Sequence, residues 1–209
     1  MTYRFEVRTG NGEPRASTVG RNGGVCVFTG SPMSLEYIRV EGKAGRFETR
    51  LMAIVVEGEG GRTYLPASTH QEQVANTARP SWTIEQELPD NPRWFSPPLY
   101  GFRTYGSLFT RRQLLSLTTL SDLIAPVCFK ARHDTVSAKA SPERAKIFGN
   151  AVGLYLSFAI SKTLTRNCTL AIWERGMGRL AGALGRQAMP MQYDFAETNL
   201  FAGAWTPDS

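Results

Sequence analysis

Prolines at Pro80, Pro89, Pro92, Pro97 and Pro98 punctuate the middle of this chain, and neither a helix nor a central strand runs through such spacing. They mark a long irregular connection, and the two sides of it carry different periodicities. Before it, short apolar runs alternate with glycine-rich turns. After it, apolar residues recur at helical spacing. The sequence therefore predicts an α+β fold, with a small β-rich N-terminal part built of hairpins followed by a helical C-terminal part. The division falls at 1–92 and 93–209, either as two parts or as one continuous domain.

In the first part, Tyr3 to Arg8 alternates apolar and charged residues, the period of a half-buried strand. Gly20 to Gly24 then leads into an extended run from Val25 to Phe28. Leu51 to Glu57 is a β-branched apolar run, and Gly58-Glu59-Gly60-Gly61 provides the turn before Thr63-Tyr64-Leu65 returns as the second strand of a hairpin. His70 to Thr77 predicts a short helix.

In the second part, Thr110-Arg111-Arg112-Gln113 matches a capping box, and Leu114, Leu117, Leu120, Leu123 and Ile124 follow as an amphipathic stripe. A second helix begins at Ser141-Pro142, where serine caps and proline suits the first turn, and runs to about Thr165. Its small residues Gly149, Ala151, Gly153, Ser157 and Ala159 would admit a neighbouring helix at close range.

With 42% hydrophobic and 20% charged residues, the chain is expected to fold. Uninterrupted apolar stretches such as Ala151 to Ile160 fall short of the roughly 20 residues a bilayer requires, so no membrane segment is expected. The N-terminus does not read as a signal peptide. Cys26, Cys128 and Cys168 are widely spaced and odd in number, which points to free thiols and a cytoplasmic location.

Charge is distributed unevenly. Residues 1–100 hold 11 Lys/Arg against 11 Asp/Glu, residues 101–190 hold 13 against 4, and residues 191–209 hold 0 against 3, so the net charge of +6 comes from the second half. Clustered cations suit a polyanionic partner, although a solvated basic surface has the same composition. Cations and aromatics interleave most closely in Arg93-Trp94-Phe95, Arg103, Tyr105, Phe109, Arg111 and Arg112, a pattern suited to phosphate contact with base stacking. The candidate nucleic-acid-binding residues are therefore Arg93, Trp94, Arg103, Tyr105, Arg111 and Arg112. The arginines are the stronger members, since Trp94, Phe95 and Phe102 also read as core aromatics beneath a proline-rich loop.

Catalytic chemistry is not evident. His70 and His133 lie far apart and away from cysteines or paired carboxylates, so no metal site is expected, and no activated nucleophile is recognisable. Gly176-Met177-Gly178-Arg179-Leu180-Ala181-Gly182 imitates a dinucleotide-binding loop after the possible strand Leu170 to Trp173. Its glycine spacing is one residue too long, which leaves these as turn or helix-start glycines. Ser96-Pro97-Pro98-Leu99-Tyr100 approaches the tetrapeptide with which amino-methyltransferases hold a flipped base, but Leu99 stands where the aromatic is needed.

Longer segments carry a likeness. Val25-Cys26-Val27-Phe28-Thr29-Gly30, Tyr37-Ile38-Arg39, Glu41 to Arg46, Arg50 to Val55 and Tyr64-Leu65-Pro66 belong to it. So do Leu88 to Gly101, Leu108 to Leu114, Arg186 to Met191 and Asp194 to Glu197. Together they resemble the central region of the large bacterial adenine-specific DNA methylases that carry an N-terminal domain of unknown function. The resemblance covers nearly the whole chain. It implies an S-adenosylmethionine loop upstream and an Asp-Pro-Pro-Tyr motif downstream, with neither in this chain, and it makes Ser96 to Leu99 a loop. Some relatives hold a Cys-x-x-Cys ribbon near the start, whereas Cys26 is followed by Thr29, so zinc is not carried over. The expected function is a DNA-binding, target-recognition-like segment that is not an enzyme in isolation. The alternative is a scaffold module packing on a methyltransferase core or partner subunit without touching DNA. Partners are then DNA and the remainder of the methyltransferase, with no membrane.

Overall fold

The structure, a computed structural model, describes residues 5–8, 10, 12, 17–174, 176–185 and 187–201. The chain divides into two compact units, Met1–Ala78 with Leu99–Gly101, and Arg79–Pro98 with Phe102–Ser209. The fold is α+β, with antiparallel hairpins in the N-terminal part and helices concentrated in the C-terminal half. The position 92/93, where the sequence suggests a division, lies inside the second unit.

The first unit opens with three short antiparallel strands, β1 (Val19–Gly20), β2 (Gly23–Val25) and β3 (Pro32–Met33). The run expected over Val25 to Phe28 stops at Val25, because Cys26 to Gly30 fold into a turn in which Gly30 N–H donates to the Cys26 carbonyl at 2.9 Å. The strand expected from Tyr3 is not present over residues 5–8, while Tyr3 and Arg4 lie outside the described residues. Helix α1 (Leu35–Lys43) follows, capped by the Ser34 hydroxyl, which accepts from Tyr37 N–H. Strands β4 (Ala53–Gly58) and β5 (Gly61–Pro66) form the hairpin expected from the glycine-rich turn. Helix α2 (Thr69–Asn76) begins on a reciprocal capping box between Ser68 and Gln71. Gly42 of α1 and the backbone of residues 99–101 approach so closely that a Cβ on Gly42 would lie 2.5 Å from the Tyr100 carbonyl oxygen. A Cβ on Gly101, whose φ is +92°, would lie 2.6 Å from the Gly42 carbonyl oxygen. Two glycines are thus required where these backbones touch.

The second unit is built around Leu88, Leu108, Cys168, Leu170, Ala171 and Met189. Its proline-rich segment is packed into this core. Leu88 N–H donates to the Arg103 carbonyl at 2.8 Å, Tyr105 N–H donates to the Gln86 carbonyl at 2.9 Å, and Met189 N–H donates to the Trp94 carbonyl at 2.7 Å. A connection whose own prolines forbid a helix is fixed instead by single bridges to distant backbone.

Helix α3 (Arg111–Asp122) starts on the expected capping box, with the Thr110 hydroxyl accepting from Gln113 N–H and Gln113 Oε1 accepting from Thr110 N–H. A separate helix, α4 (Ile124–Ser137), follows at once. Pro126 explains the break: it has no N–H to donate to the Asp122 carbonyl, and it sits in the first turn of α4, where no donor is needed. Helix α5 (Pro142–Leu164) returns antiparallel to α4. Strands β6 (Ile172–Glu174) and β7 (Arg179–Ala181) close the described fold as a hairpin.

Candidate nucleic-acid interface

The structure separates the six candidate residues into two kinds. Arg93, Trp94, Arg103 and Arg111 are exposed, whereas Tyr105 and Arg112 are half-buried. Arg93 stacks its guanidinium over the Trp94 ring, 5.3 Å from the ring centroid, and both side chains face solvent. The backbone beneath them is held: Trp94 N–H donates to the Asn91 carbonyl at 3.0 Å, and the Trp94 carbonyl accepts from Met189. An exposed cation on an indole face is a preorganised contact for phosphate and base, because the ring limits the rotamers the arginine must give up on binding.

Arg103 and Arg111 have no ion-pair partner among the described residues. Arg111 is the first residue of α3, whose first turn carries no acidic side chain. The adjacent Arg112 is engaged differently. Its Nε donates to Glu197 Oε1 at 2.6 Å, while the buried Gln113 Nε2 donates to Glu197 Oε2 at 2.7 Å. Glu197 therefore supplies, from the C-terminal segment, the negative charge that suits a helix N-terminus. Arg112 is a tie between α3 and that segment. Tyr105 packs against the Leu88–Leu108 core, as do Phe95, Phe102 and Phe109. No hydrogen bond or ion pair joins Arg93, Arg103 and Arg111 to one another among the described residues.

The remaining chemical candidates resolve into structure. Gly176 to Gly178 form the turn between β6 and β7, with Gly178 N–H donating to the Glu174 carbonyl at 2.8 Å, so strand β7 stands where a cofactor-binding helix would start. These residues do not fit an S-adenosylmethionine loop. Pro97 to Tyr100 form one turn of 3-10 helix. Among the described residues no group of three or more His, Cys, Asp or Glu converges on a point. Arg186, one end of a segment that carries the family likeness, lies outside the described residues.

Two local environments act on thiols. The Thr29 hydroxyl and the backbone amides of Thr29 and Phe28 favour the thiolate of Cys26 and hold its pKa below the ordinary thiol value. Burial pushes the Cys168 thiol up, against a smaller opposing effect of the Leu170 and Ala171 amides.

The surface that sequence reasoning missed is the outer side of α4 and α5. On α5, Ile147, Phe148, Leu154, Tyr155 and Phe158 are between 53% and 75% exposed, and on α4 Phe129 is more than half exposed. The small residues of α5 serve the opposite side: a Cβ on Gly153 would meet Cys128 Sγ at 2.5 Å, and one on Gly149 would meet the Cys128 carbonyl oxygen at 2.9 Å. An open groove of about 780 Å³ runs beside the α4–α5 turn, lined by Ala131, Thr135, Ala138, Ile147 and Phe148 among others. The spans Arg111–Ser137, which takes in α3, the break at Leu123 and α4, and Pro142–Leu164 are long and apolar enough to cross a membrane. Length and composition alone give that result. Lys130, Arg132 and Asp134 sit exposed in the middle of α4, and a bilayer interior accepts such charges only at considerable cost.

Comparison of the chain with protein-family models, with curated proteins and with solved structures finds no match.

Proposed function

We propose that this chain is a DNA-contacting, target-recognition-like segment of an adenine-specific DNA methyltransferase, one that contains neither the cofactor loop nor the catalytic motif. The exposed Arg93–Trp94 stack carries this reading, with Arg103 and Arg111 as further exposed cations. Phosphate contact by the arginines would supply affinity, and Trp94 would supply a face for an unstacked base. The net charge of +9 over residues 101–190 supports the same partner. In a complete enzyme, S-adenosylmethionine would be held by other sequence, and the methyl transfer would be carried out there. The reading puts the protein in the cytoplasm, where the DNA lies and three free thiols stay reduced.

The test is binding of the purified chain to duplex DNA across a salt series, with S-adenosylmethionine binding and methyl transfer measured beside it. Binding whose logarithm falls linearly with the logarithm of salt, without cofactor retention or methyl transfer, is the expected result. Absence of DNA binding at low salt overturns the DNA role, and methyl transfer by the chain alone overturns its assignment as non-catalytic.

A second reading, an interaction module that packs on a methyltransferase core or partner subunit without touching DNA, is favoured by the uncovered apolar face of α5.

A further inference from the structure

Helix α5 is apolar on two opposite sides. Ala145, Gly149 and Gly153 recur every four residues and are buried, with Gly149 and Gly153 set against α4. On the other side Ile147, Ala151, Leu154 and Phe158 follow one another at steps of four, three and four, the spacing of a two-helix seam. Phe148 and Tyr155 flank this seam on one edge, and Asn150 and Ser157 flank it on the other. Apart from Ala151, the seam residues and both flanking aromatics are exposed.

We propose that this face is covered by a second copy of the chain, packed antiparallel through α5 about a two-fold axis between Val152 and Gly153. The inference goes beyond the DNA-contacting role and competes with the interaction-module reading for the same face. Two features select a second copy. The first is self-complementarity. A two-fold axis at that height sets Ile147 against Phe158 of the second copy and Ala151 against Leu154 of the second copy, so a large side chain meets a small or branched one in every layer. The same operation puts Phe148 on the same edge as Tyr155 of the second copy, and Asn150 on the same edge as Ser157 of the second copy, each pair offset by two residues or about 3 Å along the axis. Aromatic meets aromatic and polar meets polar, each pair occurring twice, as an isologous contact requires. The second feature is area. At about 200 Å² per large side chain, the exposed fractions of Ile147, Phe148, Leu154, Tyr155 and Phe158 amount to about 600 Å² per copy. With both flanking aromatics included, two copies would bury up to about 1,200 Å², the lower bound of a specific protein interface.

The experiment is light scattering of the intact chain over a dilution series, for the native sequence and for Leu154→Glu, with circular dichroism to confirm that the variant keeps its helices. A dimer whose dissociation constant rises at least tenfold in the variant is expected, since the substitution brings two carboxylates into the seam. Orientation is read separately by spin labels at Lys162→Cys in a Cys26→Ser, Cys128→Ser background, which removes both thiols that are not buried and does not depend on the Leu154→Glu variant folding. At 1.5 Å per residue, the antiparallel pairing places the two labels about 30 Å apart along the axis, whereas a parallel pairing leaves them roughly 10 Å apart. A monomer at every concentration, open oligomers larger than a dimer, or a short label distance overturns the proposal. So does a monomer whose α5 becomes protected only on adding the cofactor-binding part of a methyltransferase, which would assign the face to that occupant. DNA binding by the same samples is read independently, so loss of the dimer and loss of the DNA role are distinguishable.

Discussion

Gln113 and Glu197, 84 positions apart, are joined by a hydrogen bond of 2.7 Å from the buried carboxamide to the carboxylate. The same carboxamide closes the α3 capping box through its oxygen, so one side chain finishes a helix and anchors the C-terminal segment. Replacing Glu197 by Ala leaves the Gln113 Nε2 donor without its partner, at a cost of about 1–3 kcal/mol. Urea denaturation of Glu197→Ala is expected to show that loss, and Glu197→Gln, which still offers an oxygen, is expected to recover most of it. An unchanged midpoint in Glu197→Ala would show that the segment is not tied through this pair.

Arg111 and Arg112 are neighbours with different tasks, and their alanine variants are expected to separate. Arg111→Ala reduces the slope of log affinity for DNA against log salt by about 0.9 while stability stays unchanged. Arg112→Ala mainly removes a partly exposed ion pair, lowering stability by up to about 1 kcal/mol. Equal effects of the two on the salt slope would contradict the assignment of Arg112 as a structural tie.

Gly153 is set by its contact with α4. An alanine in an exposed helix gains about 1 kcal/mol over glycine, but here the added methyl would stand 2.5 Å from Cys128 Sγ, and overpacking costs about 1–3 kcal/mol. Gly153→Ala is therefore expected to destabilise the chain on balance. Combining it with Cys128→Ala removes the sulfur and is expected to restore stability beyond the sum of the single changes, as measured in a double-mutant cycle. Additive single effects would mean that the two residues do not touch.

The thiols give a pH test with opposite signs. Cys168 has its pKa raised by burial, so its contribution to stability is complete below the ordinary thiol pKa of about 8.5 and is lost as pH rises through the raised value. Cys26 has its pKa lowered by hydrogen bonds, so its contribution is present above the ordinary thiol pKa and is lost as pH falls through the lowered value. Iodoacetamide at a series of pH values, read by mass spectrometry, is expected to label Cys26 below the ordinary thiol range. Cys168 is expected to react only when the chain is denatured. Labelling of Cys168 in the folded chain at the rate of Cys26 would contradict its burial.

Local signals carried the elements they could reach. Gly58 to Gly61 announced the β4–β5 hairpin, Thr110 with Gln113 announced the start of α3, and Ser141-Pro142 announced the start of α5, because each depends on hydrogen bonds and backbone sterics within a few residues. Helix α4 escaped because none of its residues is buried, so its apolar side chains follow no single face. Helix α1 had a readable cap in Ser34 and was still missed, since only nine residues follow it. For the candidate site, the sequence ranked the arginines above the aromatics but could not rank the arginines among themselves. Arg111 and Arg112 are indistinguishable until Glu197 is brought to one of them.

By itself the sequence determined the α+β composition, the two strongest helix starts and the uneven distribution of charge, all of which follow from residue chemistry and short-range geometry. Only the tertiary structure decided that the proline-rich segment belongs to a core, where Ser96 Oγ accepts from Met191 N–H across 95 positions at 2.6 Å. It also decided that Gly149 and Gly153 face α4 while the large residues of α5 face outward. Such choices rest on backbone groups and side chains that meet only after distant segments have come together, so no window of the sequence contains both halves of the contact.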